Sequence, residues 1–96
     1  MEPSDLITVA KARAAAKDGS ARALRKRLGL TLAEMAPLVG VSAAAMAMWE
    51  RGERVPRGLP ALRYGQLLAS LAAAAVSLAG DLANLLTKRT QAVTAR

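Results

Sequence analysis

Apolar side chains recur at spacings of three and four along most of the chain, and glycines, prolines and small polar residues cut that pattern into helix-length pieces. Ser4-Asp5 caps a first helix that runs to about Lys17, with Leu6, Ile7, Ala10 and Ala14 on one side. Asp18-Gly19-Ser20 reads as a stop followed by a new cap. A second helix spans Ala21 to Leu28, where Ala21, Leu24, Arg25 and Leu28 fall at offsets 0, 3, 4 and 7. That spacing puts Arg25 on or beside the apolar face. Gly29 ends this helix and Leu30 turns inward.

The best-punctuated stretch is Thr31 to Gly52, TLAEMAPLVGVSAAAMAMWERG. Thr31 caps a helix and Glu34, three residues on, completes a capping box. Leu32, Met35, Ala36 and Val39 share one face. Gly40 closes that helix, because the left-handed exit conformation favours a residue without a Cβ. Val41 plugs the turn, Ser42 caps the next helix, and Gly52 ends it after Trp49. A helix, a glycine turn and a second helix make a helix-turn-helix. Pro37 lies inside the first of the two, where it loses a hydrogen bond and crowds the preceding turn at about 3 kcal/mol, so a kink or a shortened helix is expected there.

Glu53 to Pro60 is a loop, with two prolines and a glycine in its last five residues, and Pro60 suits the first position of a new helix. From there Leu62, Leu67, Leu68, Leu71, Ala75, Leu78, Leu82, Leu85 and Leu86 keep helical phase. Within them Leu68, Leu71, Ala75, Leu78, Leu82 and Leu85 alternate by three and four, a short heptad seam. Gly80-Asp81 is either a tolerated weak point or a break, and the polar tail from Lys88 is expected to fray. A few turns suffice to close a small domain, which leaves the Leu78 to Leu86 half uncovered. Leu78, Leu82, Leu85 and Leu86 are therefore candidate dimerisation residues.

Composition sharpens the class. With 53% apolar residues, Trp49 and Tyr64 as the only aromatics and few β-branched side chains, the chain is expected to be all-helical with closely packed helices. Its formal charge is +7. Lys11, Arg13, Lys17, Arg22, Arg25, Lys26 and Arg27 hold half of the basic residues with only Asp18 among them, and Arg51, Arg54, Arg57 and Arg63 follow the helix-turn-helix. Such clusters favour polyanions, nucleic acid first.

Several function classes fall away. Cysteine and histidine are absent, so there is no disulfide framework, zinc finger or usual general base, and no metal or cofactor is expected. The acids Glu2, Asp5, Asp18, Glu34, Glu50, Glu53 and Asp81 make no spaced catalytic pair, so an enzyme is not expected. The start lacks a signal-peptide pattern, and the apolar run Leu67 to Ala79 is 13 residues, short of a bilayer span. Ser70, Ala73, Ser77 and Asn84 oppose the leucines where a membrane-surface helix needs basic residues. No membrane partner is expected, and a cytoplasmic, nucleoid-associated location is.

Arg22 to Leu71 resembles the Cro/C1-type (XRE-type) helix-turn-helix domain of phage repressors, bacterial regulators and antitoxins. RALRKRLGLTLAEMA, LVGVS and WERGERVP carry the likeness, in that family's order and spacing. The resemblance implies that the second motif helix docks in the major groove of double-stranded DNA. Ser42 would then cap that helix and reach a phosphate, and Ala43, Ala44, Ala45 and Ala47 would face base edges, with Met46 buried. Arg51, Arg54 and Arg57 match positions that contact the sugar-phosphate backbone or reach toward the minor groove. Arg25 and Glu50 match a partly buried structural salt bridge; Trp49 itself reads as a core residue rather than a stacking platform.

Two departures stand out besides Pro37. Leu32 occupies a place where the family usually has a phosphate-binding glutamine, and the base-facing alanines carry no hydrogen-bond donor or acceptor side chain. Three accounts fit the alanines. DNA is bound through phosphates and groove shape; or the smooth helix lies against another protein; or another segment, such as the Lys11-Arg13-Lys17 helix or the Arg54-Arg57 loop, reads a minor groove.

The expected architecture is an all-α, lambda-repressor-like helix-turn-helix bundle of about five to six helices with a longer C-terminal helix. Residues 1–19 would be an N-terminal helical extension, 20–72 the helix-turn-helix domain, and 73–96 a C-terminal helix with a dimerisation segment. The expected function is that of a DNA-binding transcription regulator, a repressor of phage or bacterial type acting as a homodimer on half-sites about 34 Å apart. The alternative is a protein-interaction module on the same fold, an antitoxin or a phage-type protein binding a host partner.

Overall fold

The computed structural model describes the backbone of residues 1–94 and the side chains of residues 1–81, 84 and 85. The described residues form five α-helices and no strand: α1 (Pro3–Asp18), α2 (Ser20–Arg27), α3 (Leu32–Val39), α4 (Ala43–Glu50) and α5 (Gly58–Thr94). The fold is the expected all-helical helix-turn-helix bundle.

Local chemistry accounts for most of the boundaries. Thr31 Oγ1 accepts the Glu34 N–H at 3.1 Å and Glu34 Oε1 accepts the Thr31 N–H at 2.9 Å, so two free donors at the start of α3 are satisfied reciprocally. The Thr31 N–H and the Thr31 hydroxyl, the latter at 3.0 Å, both donate to Glu34 Oε1 and lower the pKa of its carboxyl. α4 is capped by Ser42 Oγ, which accepts the Ala45 N–H at 3.1 Å. At the far end of α4, Gly52 adopts φ +75° and the Glu53 N–H reaches the Met48 carbonyl at 2.9 Å, a six-residue closure that stops the helix.

Elsewhere the boundaries differ from those predicted. α1 starts at Pro3 with Glu2 as its cap, and the Glu2 N–H donates to Asp5 Oδ2 at 3.0 Å; Ser4 lies inside the helix. Gly19, not Ser20, caps α2. α5 opens at Gly58, so Pro60 sits third rather than first, still within the turn whose N–H groups have no helical partner. α3 passes through Pro37 and ends at Val39; Pro37 and Ala33, whose carbonyl forgoes a partner, both face solvent. α5 also runs through Gly80 without a break and on to Thr94, past the point where fraying was expected.

Trp49, Tyr64, Met35, Met46, Val39 and Leu68 form the core, with Ala12, Ala16, Ala21 and Ala36 filling between helices. The Trp49 and Tyr64 rings meet at a centroid distance of 5.1 Å, tilted by 36°. Met46 and Trp49 are buried as their places on α4 suggested. The buried face of α1 is not the predicted one. Val9, Ala12 and Ala16 are buried, whereas Leu6 and Ile7 are each 58% exposed. The reason is the closeness of α1 to α5: a Cβ on Gly65 would lie 2.6 Å from both Thr8 Cγ2 and the Thr8 carbonyl oxygen. Two backbones that near one another leave room only for glycine at the crossing and for small side chains such as Ala12 and Ala16 along the rest of the seam, not for leucine or isoleucine.

α5 is 37 residues long, about 55 Å at the helical rise, and it sets the 58 Å long axis of a molecule only 29 × 22 Å across. Its Gly58–Asp81 portion is long and apolar enough to cross a membrane, unlike the shorter run considered from sequence. Ala61, Tyr64 and Leu68 of that portion are nonetheless buried in the bundle core.

Candidate nucleic-acid interface

α3 and α4 are joined through Gly40 and Val41 at an angle of 103°, within the range of helix-turn-helix pairs. The turn is built by Gly40 at φ +85°, whose N–H and that of Val41 both reach the Ala36 carbonyl, at 2.9 and 3.3 Å. Arg63 from α5 lies across it: its Nη1 is 2.8 Å from where a Cβ on Gly40 would stand. Met46 and Trp49 fix α4 to the core from one side. Ser42 and Ala44 face solvent, and Ala43, Ala45 and Ala47 are half-buried. The outer surface of α4 therefore offers methyl groups and one hydroxyl. Met48, also half-buried on α4, is a member of this surface that the sequence pattern did not single out.

Arg25 of α2 and Glu50 at the end of α4 meet in a two-point ion pair, with Nε and Nη2 each 2.8 Å from a carboxylate oxygen. Arg25 also donates to the Leu30 carbonyl at 2.9 Å, and the two side chains are only 12% and 5% exposed. The Glu50 carboxylate raises the Arg25 pKa further above its already high value. This pair joins α2 to the last turn of α4 and has no free face to offer a ligand.

The arginines after α4 differ among themselves. Arg51 is clasped by Glu53, with Nε and Nη2 at 2.9 and 3.0 Å from its two oxygens, while both side chains stay more than half exposed. That bond lowers the Glu53 carboxyl pKa and raises that of Arg51. Arg54 and Arg57 are exposed and, among the described residues, make no ion pair. Their loop is pinned from beneath, because Pro56 is fully buried and its carbonyl accepts a 2.8 Å hydrogen bond from Arg13 Nε of α1. Arg13 belongs to the basic Lys11-Arg13-Lys17 helix, yet one of its donors is committed to positioning the loop. No sequence signal marks a contact 43 residues apart.

Arg13, Lys17 and Arg54 border one cleft of about 240 Å³ that runs beside Trp49 and Gly52. On α5, Leu78 and Leu85 are each 58% exposed and Val76 is 75% exposed. The side chains of Leu82 and Leu86 lie outside the described residues.

The model of a helix-turn-helix family matches residues 22–68, from α2 to the first third of α5. No curated protein matches the chain, and no solved structure does. α1 and the distal part of α5 lie outside the matched residues.

Proposed function

We propose that this chain, which carries a DNA-binding helix-turn-helix domain of the Cro/C1 (XRE) type over residues 22–68, is a transcription regulator that represses by occupying its operator. The observation that supports this most directly is the capped start of α4 at 103° to α3, with exposed arginines just beyond its far end. On this reading Ser42 reaches a phosphate, Ala43, Ala44, Ala45 and Ala47 lie along base edges, and Arg51, Arg54 and Arg57 contact the backbone or minor groove. Alanine discriminates little beyond a thymine methyl, so affinity comes from charge and specificity from groove shape. Arg51 exchanges Glu53 for a phosphate when duplex binds. The chain works as a homodimer in the cytoplasm at the nucleoid, joined through Leu78, Leu82, Leu85 and Leu86. In that arrangement residues 1–19 are an extension, 20–72 the binding domain and 73–96 the dimerisation helix.

Titration of duplex DNA tests this. Binding at low salt is expected, with affinity falling steeply as salt rises. Reversing the charge of Arg51, Arg54 and Arg57 should abolish it. Absence of duplex binding by the unaltered chain, or indifference to those reversals, overturns the reading. The methyl surface of α4 favours one second reading, a protein-interaction module such as an antitoxin. It predicts a stoichiometric protein partner that survives nuclease treatment and is lost on Ala44→Glu.

A further inference from the structure

We infer that the cleft between α1 and the loop after α4 is a phosphate-binding site, which on the DNA reading above holds a backbone phosphate between Arg54 and two α1 cations, Arg13 and Lys17, that the helix-turn-helix contacts do not include. The walls are specific. Arg13 and Lys17 come from α1, outside the matched residues, and Arg54 comes from the loop; Trp49, Val55 and Pro56 supply apolar surface, and among the described residues no acid lines the cleft, Glu53 of the adjoining cleft being paired with Arg51. Like charges drawn to one place repel unless an anion lies among them, and apolar walls strengthen the field they make. The arrangement is held rather than incidental, because Arg13 Nε is fixed on the Pro56 carbonyl at 2.8 Å. That bond takes one of the five guanidinium donors and leaves four for a ligand. Lys17 does answer the negative end of the α1 dipole, but one cation suffices for that and does not explain Arg13 and Arg54 beside it.

The shared chemistry is a phosphate group, from a nucleic-acid backbone or free in solution, and two measurements separate these sources. The first follows duplex affinity against salt for the unaltered chain, Lys17→Gln, Arg54→Gln and Lys11→Gln. Lys11 is on the same helix but borders the separate groove between α1, α2 and α5. Losing one phosphate contact lowers the slope of log affinity on log salt by about 0.9. That drop is expected for Lys17→Gln, equally on all sequences, and not for Lys11→Gln; Arg54→Gln, already a contact on the DNA reading, calibrates the size of one lost phosphate contact. The second titrates inorganic phosphate at low ionic strength and reads the emission of Trp49, the only tryptophan, which borders the cleft.

If the unaltered chain binds duplex and Lys17→Gln leaves the slope unchanged, the cleft proposal falls and the DNA reading stands. If duplex does not bind but phosphate shifts Trp49 emission in a Lys17-dependent way, the DNA reading falls and the cleft stands as a site for free phosphate. If neither responds, both fall.

Discussion

Tyr64 has no exposed surface, and its hydroxyl is buried without a hydrogen-bond partner among the described residues. Loss of solvent pushes its pKa from 10.0 to about 12, with the nearby Glu50 charge adding to the rise and Arg25 opposing it. Because the folded value is the higher, ionisation opposes folding: stability is unaffected by this group below pH 10 and falls as pH rises from there through about 12. Phenolate absorbance reads it directly, since the chain has a single tyrosine; titration at the ordinary value would mean that the hydroxyl reaches water. An orphaned buried hydroxyl also makes an unusual mutational forecast. Tyr64→Phe should leave stability unchanged or raise it by about 1 kcal/mol in denaturant unfolding, and should remove the alkaline transition. The capping residues Thr31, Glu34 and Ser42 were legible in sequence because a cap is satisfied within three residues of itself. Burial of Tyr64 was not, because it depends on a ring from another helix.

At the scale of helices, α5 carries two glycines with opposite consequences. Gly65 faces α1 so closely that a methyl would strike both the side chain and the backbone of Thr8. Gly80 is surrounded by open space. Gly65→Ala should therefore force α1 and α5 apart and cost about 1–3 kcal/mol, while Gly80→Ala should stabilise its helix by up to about 1 kcal/mol. Unfolding midpoints and helical circular dichroism of the two variants check the contrast, and equal effects would mean that the close crossing is wrong. The same crossing explains the misjudged face of α1. Alanines occur at positions 10, 12, 14, 15 and 16, so hydrophobic contrast around the helix is weak and periodicity has little to choose between. Only the approach of α5 selects Val9, Ala12 and Ala16. Continuity through Gly80 is also a matter of magnitude, since one glycine costs less than a long helix gains from neighbouring turns.

For the whole molecule, the proposed dimer rests on the way one leucine seam passes from inside the bundle to outside it. Leu68 is buried and Leu71 half-buried against the core, while Leu78 and Leu85 on the same seam stand in solvent. Sedimentation should show a concentration-dependent dimer, and Leu78→Lys with Leu85→Lys should give a monomer with unchanged unfolding of the bundle. Duplex affinity should drop with it, because two half-sites are no longer bound together. A monomeric unaltered chain would remove the dimer and leave single-site DNA binding to be judged by itself.

The helix-turn-helix is readable along the chain because its signals are local. Caps, glycines at turns and apolar offsets of three and four act within a turn or two, and each agrees with the next. The same offsets place Arg25 on an apolar face, from which a partner for its charge was to be expected. Tertiary structure alone decided which side of α1 is buried and that Arg13 holds the loop after α4. It also brought Arg13 and Lys17 to one cleft with Arg54. These depend on backbones many residues apart approaching to within a methyl group of each other, and no periodicity along a single helix encodes that distance.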